Sequence, residues 1–143
     1  AASLNRLAAV SGRATKLTLG RKVTEAEEAA AKYFGSKYAC FLTNWTAGME
    51  IGYKLAGLKA GDEVIMPAVT FIATMAYPLS IGAKIVFADI DPETINLDPA
   101  DVARKITPKT KMIVPVHLGG FPVDMDPIMR RFNEAAVSFT ALS

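Results

Sequence analysis

The sequence predicts an α/β fold with a mostly parallel sheet and flanking helices. Three observations lead there. Short apolar runs recur along the chain and are closed by proline or glycine, as buried strands are. Stretches with helical spacing or helix-start signals lie between them, so strands and helices alternate. Finally, polar turns follow the strands, at the carboxyl ends where open α/β sheets bind their ligands.

Residues 1–22 are small, polar and basic, with Gly12 and Gly20 interrupting any helix, and read as an arm. From Val23 the run Thr24-Glu25-Ala26-Glu27-Glu28-Ala29-Ala30-Ala31 is rich in helix formers, with acids early and Lys32 late, and Gly35 supplies the stop. Tyr38–Thr43 reads as a strand apolar on both faces. A helix from about Thr46 follows, with Ala47, Met49, Ile51 and Leu55 on its apolar side and Gly57 at its end. Gly61-Asp62 turns the chain into a strand over Glu63–Met66, closed by Pro67. Thr70–Leu79 fits a helix if Pro78 falls near its end. Lys84–Asp89 is the next strand, and Asp91-Pro92 and Asn96-Leu97-Asp98-Pro99 mark turns. Asp98 is placed as an N-cap with Pro99 at the first helical position, for a helix running to Ile106 and broken by Thr107-Pro108. Met112–Val116 is the last strand, Leu118-Gly119-Gly120 a glycine turn, and a final helix starts near Asp126-Pro127. The strands Lys84–Asp89 and Met112–Val116 are the ones expected to be left with an open edge or an uncovered face.

With 143 residues the chain is long enough for one core and too short for two comfortable domains. A net charge of +2, without a basic run, argues against nucleic acid as a partner. Cys40 is the single cysteine, so no disulfide framework exists within one chain, and a reducing, cytoplasmic setting is expected. No apolar stretch is long enough to span a bilayer, and the first residues lack a signal-peptide pattern, so no membrane partner is expected.

Three polar turns are candidate sites: Asn44-Trp45-Thr46, Pro67–Thr74 and His117–Phe121. The first would leave unpaired N–H groups at a helix start behind a strand, an anion site for which phosphate is the usual guest. Thr46 is equally a plain helix cap, Trp45 a packed aromatic at a strand end, and Phe71 a core residue on the first helical turn. His117 fits a residue that orders its loop through backbone contacts. Asp89, Asp91 and Asp98 read as turn caps rather than proton carriers.

The stretches "GDEVIMPAVTFIATMAYPLSIGAKIVFADIDPETINLDP" and "ITPKTKMIVPVHLGGFPVDMDPIM" together resemble the pyridoxal-phosphate-dependent nucleotide-sugar aminotransferases of the DegT/DnrJ/StrS family, over about Leu17 to Met129. The resemblance implies the N-terminal part of the aspartate-aminotransferase-like (fold type I) large domain. It implies a homodimer that moves an amino group, commonly from glutamate, onto a nucleotide-linked keto-sugar. The cofactor implied is pyridoxal 5'-phosphate, with Thr46 and Ala47 at its phosphate and Phe71 stacked on its ring. Trp45 departs from the family, which usually has glycine or alanine there. In these terms 1–22 is an N-terminal arm, 23–132 a partial cofactor-binding large domain, and 133–143 a divergent tail.

The family's lysine, which forms the Schiff base, and its acid, which pairs with the pyridine nitrogen, both lie beyond the matching segment. Glu134-Ala135-Ala136 only faintly echoes the acidic motif, and no lysine of this chain sits in the family's position. No catalytic residue is therefore assigned and no metal is expected. The chain reads as a fragment, an interrupted reading frame or a non-catalytic degenerate copy. A dehydratase of the same family, using histidine in place of the lysine, is the further alternative.

Overall fold

The structure, a computed structural model, describes residues 20–134. Most of the arm (1–22) and of the tail (133–143) lies outside the described residues. The contact pattern divides the chain into two units, 1–43 and 44–143.

In the first unit, α1 covers Arg21–Phe34. It stops where expected, because Gly35 takes the left-handed conformation (φ 66°), and the Ser36 N–H closes back on the Ala31 carbonyl at 3.0 Å. Tyr38–Thr43 is not a strand. It enters no ladder among the described residues, Phe41 and Leu42 are exposed, and so is Cys40. A short apolar run marks a segment that a sheet could cover, but a strand exists only through its hydrogen-bonded neighbour. The segment is tied instead to its own helix, the Phe41 N–H donating to Glu27 Oε1 at 3.0 Å.

The second unit begins with α2 (Trp45–Leu55), followed by β1 (Glu63–Pro67), α3 (Ala73–Ser80), β2 (Lys84–Ala88), α4 (Pro99–Lys105), β3 (Thr110–Ile113), a 3-10 turn at Leu118–Gly120, and α5 (Met125–Glu134). The sheet is three-stranded and parallel in the order β2-β1-β3, so β2 and β3 are its edges. β3 starts two residues earlier than expected and ends at Ile113. One further rung forms from the Val114 N–H to the Ile65 carbonyl, 2.8 Å, after which Pro67 has no amide to offer β3. Lys111 is the extra residue of a bulge, since Glu63 pairs with Thr110 and Val64 with Met112.

Every residue of β1 is buried, and alternate side chains feed two cores. On one face Val64 and Met66 pack with Met112, Val114 and, from α2, Met49 and Tyr53. On the other, Ile65 and Ile113 pack with Val102 of α4 and with Ile128 and Phe132 of α5. β1 is thus covered on both sides, each fully buried aliphatic side chain being worth about 1.5–3 kcal/mol, whereas Phe87 on β2 is left exposed, as expected of that strand. On α2 the buried pair is Met49 and Tyr53, whereas Ile51 and Leu55, expected on the apolar side, are exposed.

Opposite the candidate turns, at the amino end of the sheet, the buried Glu63 carboxylate joins all three strands. It accepts from Lys84 Nζ at the start of β2 (2.9 Å) and from Thr107 Oγ1 just before β3 (2.6 Å). The Thr107 hydroxyl, followed by Lys84, holds its pKa below the ordinary 4.5. A depressed carboxyl contributes stability that is present above its unfolded pKa and is lost as pH falls through the folded one. The chain should therefore lose stability below pH 4.5. Glu63→Gln should cost about 1–3 kcal/mol at neutral pH and flatten that acid dependence. Denaturant titrations of both proteins at neutral and acid pH check this, and an unchanged pH slope in the variant would contradict it.

Candidate functional site

In this order of strands, the chain leaves β1 toward α3 on one face of the sheet and leaves β3 toward α5 on the other. Adjacent parallel strands whose connections diverge in this way open a crevice at their carboxyl ends, the usual ligand position in α/β sheets. Two of the three candidate turns border it: the one after β1, with Phe71, and the one after β3, with His117–Phe121.

Phe71 is not the core residue that its position before a helix could make it. It precedes α3, its ring 69% exposed, and its carbonyl accepts the Thr74 N–H at 3.0 Å. What fixes this turn begins with Pro78. As a proline inside α3 it has no N–H for the carbonyl four residues earlier, that of Thr74. Tyr53 of α2 fills the vacancy, its buried hydroxyl donating to Thr74 O at 2.6 Å. Burial pushes the Tyr53 phenol pKa up, so it stays a donor across the ordinary pH range. The Thr70 and Thr74 hydroxyls bond at 2.8 Å, and the Tyr53 and Tyr77 rings stack with centroids 6.0 Å apart. α2 and the Phe71 turn are therefore one piece.

At its amino end, α2 is capped by Asn44, whose Oδ1 accepts the Ala47 N–H at 2.9 Å. Thr46 is thus not the cap. It is the second residue of the helix, exposed, among the first amides that carry the positive end of the helix dipole. Trp45 is the first helical residue and is 66% exposed, so it is not packed at a strand end.

Behind the third turn, His117 Nδ1 accepts the Val123 N–H at 2.9 Å, the ordering role read for it from sequence. This makes Nε2 the protonated nitrogen of the neutral ring. Asn96, read from sequence only as turn punctuation, holds the same turn from the other side. Buried, it donates from Nδ2 to the carbonyls of Phe121 (3.1 Å) and Pro122 (3.3 Å), and its Oδ1 accepts the Leu118 N–H at 3.3 Å. Gly119 and Gly120, at φ 62° and 83°, make the turn possible. The signal available in the sequence was an asparagine flanked by Ile95 and Leu97, too apolar a setting for a plain surface turn. Tyr53 was missed as well; its signal was the spacing of four from Met49.

The three acids are turn caps, as expected. Asp91 Oδ1 accepts the Glu93 and Thr94 N–H groups at 3.0 and 2.9 Å. Asp98 Oδ1 accepts that of Ala100 at 2.8 Å, and Asp89 Oδ1 that of Ile90 at 2.8 Å. Among the described residues no group of acids, histidines and cysteines could hold a metal ion, and no helix is long and apolar enough to cross a membrane.

Fold and crevice together define an α/β domain with its ligand side at the strand carboxyl ends. The chain belongs to the DegT/DnrJ/EryC1/StrS aminotransferase family, whose model matches residues 2–139. It is 44% identical over 119 residues to GDP-perosamine synthase of Caulobacter vibrioides, covering 81% of this chain and 32% of that protein. It is also 44% identical over 110 residues to UDP-2-acetamido-2-deoxy-3-oxo-D-glucuronate aminotransferase of Pseudomonas aeruginosa, covering 77% and 31% of the two chains. Among solved structures, NtdA of Bacillus subtilis with bound cofactor PMP superposes with a TM-score of 0.84 at 36% identity, over 96% of this chain and 32% of that one. The PLP form of a sugar aminotransferase from Streptococcus pneumoniae, itself described as putative, gives 0.83 at 30% identity, over 100% and 36%. The chain thus spans about a third of the length of these relatives. The likeness supports the fold type I architecture expected from the sequence, and this family's aminotransferases use PLP or PMP.

The cap assignment has a direct check. Asn44→Ala should destabilise the second unit by about 1 kcal/mol, while Thr46→Val should stay within about 0.5 kcal/mol of the parent. Urea denaturation of the two variants distinguishes them, and the reverse order would restore Thr46 as the cap.

Proposed function

We propose that this chain is the N-terminal portion of a pyridoxal-phosphate-dependent aminotransferase that transfers an amino group, from glutamate as donor, to a nucleotide-linked keto-sugar. One observation carries the reading to this chain's own residues. Phe71, a flat exposed aromatic, is fastened through Thr74 and Tyr53 to the helix whose amino end presents Thr46. The sugar-nucleotide chemistry in the names of the relatives supports the substrate class.

The residues present fit the cofactor's two ends. The Thr46 hydroxyl and the first amides of α2 would hold a phosphate, a dianion suited to a helix amino terminus. Ala47 would take part by sharing its N–H between Asn44 and that phosphate. The Phe71 ring would cover one face of the pyridine ring, an offset stack being worth about 0.5–1.5 kcal/mol. When bound, the cofactor supplies an electron sink for cleavage at the amino carbon. The lysine and acid that such chemistry requires belong to the longer protein in this reading, as do the homodimer and a cytoplasmic setting.

Two experiments test it. Incubated with pyridoxal phosphate and borohydride, the chain alone should give no stoichiometric adduct at a unique lysine. Trapping at one site would overturn the assignment of the catalytic lysine to the rest of the protein. In a complete homologue carrying this segment, Thr46→Val should weaken pyridoxamine phosphate binding by about 1–3 kcal/mol, measured by fluorescence titration. Trp45→Gly should leave binding unchanged or tighter, and normal binding by Thr46→Val would remove Thr46 from the site.

A further inference from the structure

Both edge strands are among those expected to be left with an open edge or an uncovered face, yet the edge of β2 is held in a particular way. The Lys84 N–H donates to Asp62 O just before β1 at 2.8 Å, so the backbone groups of Lys84, Val86 and Ala88 face β1. By the alternation of a strand, those of Ile85, Phe87 and Asp89 face outward. Two of these outward groups meet α4. Lys105 Nζ donates to the Phe87 carbonyl at 2.8 Å, and Asp101 Oδ2 accepts the Asp89 N–H at 2.6 Å. The same two side chains form an ion pair at 2.7 Å, and Arg104 holds the other Asp101 oxygen at 2.9 Å. Lys105, the Asp89 amide and Arg104 together lower the Asp101 pKa to about 2, so the acceptor stays ionised at any pH near neutrality.

We infer that Asp101 and Lys105 act as a strand surrogate that ends the sheet at β2. A neighbouring strand would offer this edge one N–H donor and one carbonyl acceptor, alternating along it. Lys105 supplies the donor and Asp101 the acceptor, at the positions a further strand would use. The two sit at i and i+4 of a short helix, which fixes their spacing to that of the strand groups they satisfy. Open edges recruit other chains, and folded proteins protect them with charge or cover. Here the protection consists of specific hydrogen bonds from two side chains of the neighbouring α4. The surrogate bars strand addition from a second copy of this chain along the carboxyl half of β2.

The test uses the whole chain. In the unmodified protein, the Asp89 amide should exchange with solvent more slowly than that of Ile85, the outward amide at the other end of the same strand. Lys105→Met, which keeps the packing stem, and Asp101→Ala should each lower the concentration at which the chain associates by about tenfold. Sedimentation velocity reads the association, and infrared spectroscopy shows whether it adds intermolecular β structure. Lys105→Arg retains the donor and should behave as the parent. Arg104→Met removes Asp101's other ion pair without touching a strand atom, so it should not promote association. If Lys105→Met associates no more readily than the parent, or Arg104→Met does so equally, the surrogate is overturned. Should Lys105→Met prove unfolded, the exchange comparison in the unmodified chain decides, and an Asp89 amide as fast as Ile85 refutes it.

Discussion

The hydrogen bond from Tyr53 to the Thr74 carbonyl is the interaction on which the arrangement of the ligand side depends. It exists because Pro78 leaves that carbonyl without a helical donor, and because α2 places a buried phenol against it. An unmet buried carbonyl costs about 1–3 kcal/mol, so the α2–α3 contact is specified by a polar requirement as well as by apolar packing. Both α2's amino terminus and the Phe71 turn inherit their positions from this contact. Without it, the apolar packing of Met49 and Met75 would set only how closely the helices approach, and not their register.

The sheet divides its tasks between its ends. At the amino end the buried Glu63, held by the exposed Lys84 and the half-buried Thr107, binds the strand starts together and touches none of the candidate turns. At the carboxyl end the polar groups are spent on holding loops: Asn96 and His117 on the turn after β3, Thr70 and Thr74 on the turn after β1. This is the division expected of a parallel sheet, where connections at one end carry stability and those at the other carry ligand contacts.

Much of this was legible in the sequence because its signals are local. Gly35 ends α1, Asp98 and Pro99 open α4, and β1 and β2 appear where short apolar runs stand between turns. Where the reading failed, the deciding partner was distant in the sequence. Tyr38–Thr43 has the composition of a strand but, among the described residues, no strand beside it, and composition cannot show that. β3 ends early because Pro67 of β1 has no amide to offer the next carbonyl of β3, which only the pairing register reveals. Thr46 was weighed as a helix cap when Asn44, two residues earlier, does that work. At the candidate site the aromatic and hydroxyl were found through family resemblance. Tyr53 and Asn96, which position their surroundings, make their bonds 21 and more than 20 residues away, and those bonds escaped notice.

Ile95 shows where this fold has room to improve. It is a β-branched residue held at φ 60°, a conformation that costs a side chain of this kind roughly 1–2 kcal/mol, and it is half exposed, so packing returns little of that cost. It is retained because the tight turn from Asp91, closed by the Ile95 N–H on the Asp91 carbonyl at 2.8 Å, delivers Asn96 into the interior. Nothing in that delivery uses the isoleucine side chain. Stability at this corner is thus a reserve, and a designer could draw on it with glycine or asparagine while leaving the bonds of Asn96 intact.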